Sequence, residues 1–431
     1  MTRPGHNLLS RLNFSGQKKE TSHSSKSDYS AQTVLSLLSQ LRSGYLKITL
    51  PDGRIKEFGN PTDLLQADIQ IFDWSVFKSL ISHGDIGFAE SYIRGEWDSS
   101  DLKAILELAI RNRAILEKVI YGSWIGSILY RVKHWLRDNT KSGSRKNIHA
   151  HYDLGNAFYS LWLDPSMSYS SAWFSEGAKQ TLADAQRAKI KRILNSLNTN
   201  PGDHILEIGC GWGGVMEEAL LSGRSITGLT LSTEQKAFAE NRLQNLKALI
   251  TNSSDFEVRL QDYRDCQEQF DGIASVEMFE AVGEKHWPEY FQTLAKCLKL
   301  SGKACIQTIV IADNLFERYR HNTDFIQQYV FPGGMLPSRT SFKAAAAKAG
   351  LQVDDEFAFG KDYAKTLCIW RDNFNQKLQE IRKLGFDEAF IRLWNFYLMY
   401  CAAGFTERSI DVVQFTLSHS SLKTSSDGLN P

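Results

Sequence analysis

The period of the apolar residues changes several times along this chain, and each change predicts an element. Val34, Leu35, Leu37, Leu38 and Leu41 recur at helical spacing, the pattern of an amphipathic helix. Tyr45 to Leu50 then alternates apolar and polar, Pro51-Asp52-Gly53 supplies a turn, and Arg54 to Phe58 completes a hairpin. Ser75 to His83 and Leu102 to Arg113 read as helices. Later the rhythm differs. His204–Ile208, Ser225–Thr230, Phe270–Val276 and Lys303–Val310 are short apolar runs suited to buried strands, separated by helical stretches such as Thr233–Leu246 and Lys285–Lys299. That alternation predicts an α/β fold, a parallel sheet covered by helices on both faces.

These patterns divide the chain. Residues 1–30 are polar, rich in Ser, Lys, Gly and Asn, and read as a disordered tail. Residues 31–139 form a first block that reads as a lipid- or membrane-binding domain. Residues 140–148 are a polar linker, 149–419 a second block, and 420–431 another loose end. Between Ile115 and Arg137, apolar residues at helical spacing are interleaved with Tyr121, Trp124, Tyr130 and Trp135 and with Lys118, Arg131, Lys133 and Arg137. Aromatic and basic side chains together suit the headgroup level of an anionic membrane. A core-facing helix with a basic solvent edge explains the pattern at least as well.

Composition narrows the function. The 431 residues suffice for two or three domains with a real core. Lys+Arg 50 against Asp+Glu 49 gives a net charge of +1, which argues against nucleic acid as the partner and confines any anionic partner to a local patch. The six cysteines include no C-x-x-C spacing and no accompanying His cluster, so neither a metal site nor a disulfide framework is expected. Met1 to Ser30 has no apolar segment of a secretory signal, and no apolar run is long enough to span a bilayer. A cytoplasmic protein is expected, with peripheral membrane association left open.

The strongest local signal is Leu206-Glu207-Ile208-Gly209-Cys210-Gly211-Trp212-Gly213-Gly214, after a strand and before a helix. Its glycines permit a sharp turn and close backbone approach to a ligand. Gly209, Gly211 and Gly214 also satisfy the dinucleotide spacing G-x-G-x-x-G. A dinucleotide site, however, wants an acid at the end of the second strand, and Gly228-Leu-Thr-Leu-Ser232 has none. Glu207 stands before the first glycine, where a carboxylate can meet the cationic amino group of methionine. A turn that only packs helix on strand needs fewer glycines. Glu280, after the third of these apolar runs, lies where open α/β sheets bind ligands, although a capping or solvent-facing acid would look the same.

Longer stretches carry a family resemblance. His151-Tyr-Asp-Leu-Gly-Asn156, Met167-Ser-Tyr-Ser-Ser-Ala-Trp-Phe174, the glycine loop, Gly228 to Gln235, Leu260 to Asp265, Met278 to Gly283, Gln328 to Ser338, Phe359 to Tyr363 and Tyr397 to Phe405 follow one another in order. Together they resemble the cyclopropane-fatty-acid synthases and mycolic-acid methyltransferases. Gly84 to Tyr92 and Gly95-Glu-Trp-Asp98 resemble the N-terminal domain of the longer members. The resemblance implies a class I methyltransferase, a Rossmann-like seven-stranded sheet with a helical cap, plus a smaller, mainly helical N-terminal domain. It implies S-adenosylmethionine as co-substrate, with Tyr152, Ser170, Gly209 and Gly211 at its methionine part. Thr230, Leu231 and Gln235 would lie around its ribose and adenine, and Asp262 and Tyr263 beside the adenine. Glu207, Cys210 and Gly213 complete the cofactor loop. The implied substrate is the double bond of an unsaturated phospholipid acyl chain at a membrane surface, with a homodimer left open and no metal.

In such chemistry the alkene attacks the sulfonium methyl, and aromatic faces stabilise the resulting cation; Tyr329, Phe331, Tyr363 and Tyr397 are candidates. The family's ring closure is taken to use bicarbonate held by Glu, Tyr, Cys and His. Glu280 and Tyr363 match. Ser171 and Gln307 stand at the other two positions, and Ala281 follows the Glu where His is frequent. Ser171 and Gln307 can hydrogen-bond an anion but supply no positive charge. A branched, methylene or methyl-alkene product is therefore the alternative to a ring. A non-catalytic lipid-binding relative would have no need of the cofactor loop, and small-molecule methylation would not require the lipid-family motifs.

Overall fold

The computed structural model describes residues 25–120, 154–177 and 179–420. They form two compact units. The first gathers the described residues up to Lys189 with Ile309–Leu336 and Phe359–Val412; the second gathers Ile190–Thr308, Pro337–Ala358 and the described residues from Val413.

In the first unit, β1 (Tyr45–Thr49) and β2 (Ile55–Gly59) pair antiparallel around the turn at Gly53, whose φ of 83° suits glycine. β3 (Gln66–Ile71) lies parallel to β1, and β4 (Trp97–Asp98) closes the order β2-β1-β3-β4. Leu46, Ile48, Ala67, Ile69 and Ile71 point to the buried face. The described N-terminal block is thus mainly helical, as expected, with this small four-stranded sheet packed into it. β3 is not among the expected elements although its strict polar–apolar alternation is a strand pattern, and β4 has only two residues.

The helix Ser25–Leu38 begins inside the segment expected to be a tail. Its buried Ala31, Val34 and Leu38 show the anchoring face that fixes it. The helix Ser75–Ile93 runs ten residues past its predicted end, through a break at Gly84 (φ 60°, ψ −135°). The helix Leu102–Arg111 starts where Asp101 accepts hydrogen bonds from the Lys103 and Ala104 amides, both 3.0 Å. Arg113–Ile120 follows. Most of the aromatic–basic stretch ending at Arg137 lies outside the described residues.

The helices Gly360–Gln376 and Glu388–Thr406 complete this unit. Glu388–Thr406 is apolar on nearly every side, so neighbours must cover its whole circumference. Ser75–Ile93, Leu102–Arg111 and Gly360–Gln376 do so. The described part of the block 31–139 therefore shares one core with these later helices. Phe158, Trp162, Trp370 and Trp394 fill part of that core, with the Phe158 and Trp394 ring centres 5.1 Å apart.

The second unit holds a sheet whose strands are β5 (His204–Ile208), β6 (Ser225–Thr230), β7 (Phe256–Leu260), β8 (Phe270–Val276), β9 (Leu298–Ile311), β10 (Leu351–Ala358) and β11 (Ile410–His419). The order is β10-β11-β9-β8-β5-β6-β7. β5 pairs parallel with β6 and β8, β6 with β7, and β8 with β9; β10 and β11 are antiparallel. Ala312 bonds Ser409 and His419 bonds Leu298, so β11 also runs against β9. The predicted parallel core, β5, β6, β8 and β9, is present. β7 and β10 are edge strands; in β7 Glu257 and Arg259 alternate with apolar residues, whereas Asp354, Asp355 and Glu356 interrupt the rhythm of β10.

Candidate functional site

In the second unit the glycine loop leaves the carboxyl end of β5. The amides of Gly209 and Cys210 both donate to the Leu229 carbonyl, at 3.0 and 2.9 Å, and pin the loop to the end of β6. Gly209, Gly211 and Gly213 all have positive φ: 83°, 52° and 83°. Each has a different neighbourhood. A Cβ at Gly209 would come within 2.8 Å of the Met278 side chain, and one at Gly213 within 3.2 Å of Ala239. At Gly211 nothing lies within 4 Å, so the bare backbone faces open space that a side chain would fill. That is the form of a cradle, and it fits the aminoacyl–adenosyl cofactor that the sequence motif implies. Glu207, 2 % exposed, sits one residue before the end of β5. Burial pushes the Cys210 thiol well above its ordinary range, and the Glu207 charge adds to the effect.

The strand ends beside the loop hold the other expected residues of this unit. After β6, Thr230 Oγ1 donates to Gln235 Oε1 at 3.0 Å and accepts from the Ser232 amide at 3.1 Å; Leu231 is half-buried between them. These neutral groups occupy the place where a dinucleotide site would carry an acid. After β7, Asp262 is held by Arg264 through two bonds, Nε to Oδ1 at 2.8 Å and Nη2 to Oδ2 at 2.7 Å. Tyr263 packs edge-on to Tyr290, and burial pushes its phenol up.

At the end of β8 stand two acids. Glu280 lies in the turn Phe279–Ala281, anchored by Phe279 among Trp287, Tyr290, Phe291 and Phe342. Glu277 has a φ of 50°, unusual for a residue with a side chain, and occurs at the strand end. Its carboxylate accepts from Gln307 Nε2 at 2.8 Å, while Gln307 Oε1 accepts from Gln414 Nε2 at 3.0 Å. Both ends of the Gln307 amide are therefore engaged. Pattern reading gave no sign of Glu277 or Gln414; the positive φ that marks Glu277 is invisible in a sequence.

Ser170, Ser171 and Tyr363 belong to the first unit. Gln186 Nε2 donates to the Ser170 carbonyl at 2.8 Å, and Lys189 Nζ to its hydroxyl at 2.6 Å. Ser171 Oγ donates to the Ala172 carbonyl at 2.9 Å, and the Ala172 amide donates to Thr366. Tyr363 lies 4.4 Å from the Phe405 ring centre and 6.2 Å from that of Trp370. The Tyr397 hydroxyl is 2.8 Å from that of Tyr169, and Phe331 meets the Tyr397 ring edge-on. Tyr329, in a π-helical turn Ile326–Val330, hydrogen-bonds Glu90 instead. Tyr152 lies outside the described residues.

The strand order, the reversed last strand and the glycine loop after β5 define an S-adenosylmethionine-dependent methyltransferase. The model of the mycolic acid cyclopropane synthetase family matches residues 139–415, and the chain belongs to that family. It is 38 % identical over 353 residues to the tuberculostearic acid methyltransferase of Mycobacterium tuberculosis, covering 78 % of this chain and 79 % of that one. With the cyclopropane-fatty-acyl-phospholipid synthase of Escherichia coli K12 it shares 35 % over 356 residues, 82 % of this chain and 88 % of the other. Among solved structures, the cyclopropane synthase MmaA2 of Mycobacterium tuberculosis superposes with a TM-score of 0.59 at 30 % identity, covering 63 % of this chain and 97 % of that one. The family's level of description is S-adenosylmethionine-dependent modification of unsaturated fatty-acyl chains.

Proposed function

We propose that this methyltransferase alkylates the double bond of an unsaturated phospholipid acyl chain at a membrane surface. The observation that carries the reading is the glycine loop with open space at Gly211, which suits the methyl donor. The acyl substrate follows from the relatives whose names specify fatty acids or phospholipids. Among the described residues no helix is long and apolar enough to cross a membrane, which agrees with peripheral access to lipid.

Bound S-adenosylmethionine supplies an electrophilic methyl group to this site. Gly209, Gly211 and Gly213 shape the loop that receives it, and Thr230 and Gln235 offer neutral hydrogen-bonding groups to a ribose. Tyr363, Tyr397 and Phe331, which lie in the stretches that resemble the family, are assigned as aromatic surface for positive charge developing on the alkylated chain. Glu280 and Ser171 are assigned to the reacting centre on their match to the family motifs.

One observation favours an acyclic product over a ring. Gln307, at the position of an anion-holding His in the ring-forming family members, has its amide engaged by Glu277 and Gln414. One N–H and the carbonyl oxygen of this amide are thus taken by protein groups, and unlike His it brings no positive charge to bicarbonate. The test incubates the purified protein with methyl-labelled S-adenosylmethionine and vesicles of monounsaturated phospholipid, followed by mass spectrometry of the fatty esters. Label in the acyl chain is expected, in a product that takes up hydrogen on catalytic hydrogenation. A labelled product isomeric with the methyl-alkene that resists mild hydrogenation would restore ring closure, whereas one heavier by two hydrogens is a saturated branch and remains acyclic. Absence of label from lipid would remove the acyl substrate.

A further inference from the structure

Two free thiols of the second unit meet 31 positions apart in the chain, a pairing that no C-x-x-C spacing announces. Cys266 closes the turn Tyr263–Asp265, its amide donating to the Tyr263 carbonyl at 3.1 Å, and Cys297 ends the helix Trp287–Cys297. The strands that follow hold the two stretches side by side, with Phe270 of β8 in register with Leu298 of β9. Gln269 Nε2 donates to the Lys296 carbonyl at 3.4 Å, and Lys296 bonds Gln267. Cys297 Sγ is thereby set 3.7 Å from the Cys266 carbonyl oxygen, and the two thiols hydrogen-bond one another. Cys266 Sγ in turn donates to Glu268 Oε2 at 3.6 Å. The hydrogen bond from Cys297 holds the Cys266 thiol below its ordinary range, against the effect of burial; the same bond, together with burial, pushes Cys297 up. Cys266 is thus the better nucleophile and Cys297 the thiol that keeps its proton. Glu268, whose side chain is 51 % exposed, touches the Cys266 sulfur, so this buried thiol lies one solvent-facing side chain beneath the surface.

We propose that Cys266 and Cys297 form an oxidation site, a dithiol that hydrogen peroxide closes to a disulfide. The Cys266 sulfur attacks one peroxide oxygen and the O–O bond breaks. Cys266 becomes a sulfenic acid, and the other oxygen leaves as water with the thiol proton. The Cys297 sulfur then attacks the Cys266 sulfur. The S–S bond forms, the S–O bond breaks, and the hydroxyl departs as water with the Cys297 proton. Two thiols are oxidised and one peroxide is reduced to two waters, so no further co-reactant is needed. The new bond fastens the exit of the turn Tyr263–Asp265 to the end of the helix Trp287–Cys297.

The experiment treats the full chain with a small molar excess of hydrogen peroxide, blocks the remaining thiols, and maps peptides by mass spectrometry without reduction. The peptide of Cys266 is expected joined to that of Cys297, lighter by two hydrogens than the pair of free peptides and separated again by a dithiol reductant. Exposure alone would predict a different order, in which the half-buried Cys368 and Cys401 are oxidised before this buried pair. That order would overturn the proposal, as would recovery of Cys266 and Cys297 as blocked free thiols. Cys297→Ser should arrest Cys266 as a sulfenic acid that dimedone captures, and Cys266→Ser should leave Cys297 reduced. Oxidation of Cys297 in the absence of Cys266 would remove Cys266 as the attacking thiol and overturn the proposed sequence of steps.

Discussion

Asp85 follows the break at Gly84 and accepts a 2.8 Å hydrogen bond from the Tyr400 hydroxyl. Burial pushes its carboxyl up to about 7, and the charge of Asp324 adds to the effect; burial also pushes Asp324 up to about 6. Tyr400, Cys401 and Arg113 are the other titratable groups that act on this pair or feel it. For a carboxyl raised above its unfolded value, the folded state binds the extra proton. The stabilisation is thus full below about pH 4, the unfolded carboxyl range, and is lost as pH rises through 6 to 7. Thermal melts from pH 5 to 8 should show the midpoint falling. Asp85→Asn, which keeps the shape without the charge, should flatten that slope and melt higher than the parent at pH 8. A parallel slope in the variant would exclude Asp85 as its source.

Arg392 does for the helix Glu388–Thr406 what no apolar contact can. Its guanidinium donates to the Tyr92 and Trp97 carbonyls, reaches Asp98 at 3.1 Å, and lies 3.9 Å over the Tyr92 ring. The helix is thereby fastened to β4 and to the end of Ser75–Ile93. Arg392→Ala should cost about 2–4 kcal/mol, through carbonyls left without their donor and a lost cation–π contact. Urea unfolding measures it, and Arg392→Lys should recover only part, because a point charge cannot replace the fork. Elements of this kind separate what a sequence displays from what it conceals. β5, β6, β8 and β9 were legible because burial on both faces leaves short, mostly apolar runs. The glycine loop was legible because backbone freedom demands a particular residue. The pairing of β3 with β1, the extension past Gly84 and the Arg392 fork depend on partners distant in the chain, and local periodicity carries no trace of them. The same holds at the site: Glu277 and Lys189 read as ordinary charged residues until the backbone and a buried neighbour give them a direction.

At the scale of the whole molecule, a net charge of +1 offers no general attraction to an anionic surface, so membrane binding must come from a local feature. The aromatic–basic sequence around Trp124 and Trp135 is the feature to test. Replacing both by Ala should reduce sedimentation with anionic vesicles while leaving S-adenosylhomocysteine affinity unchanged; equal sedimentation would assign membrane contact elsewhere. The assembly of each unit from three stretches of chain has a further consequence, for synthesis on the ribosome. Arg111 meets its partner Glu407 across 296 positions. At about 5–20 residues per second, the first block emerges about 15–60 s before the helix that covers it. Throughout that interval the faces of Ser75–Ile93 and Leu102–Arg111 that meet Glu388–Thr406 have no native cover. A nascent chain stalled between these two points would expose sticky helices, which makes it a natural client for chaperones.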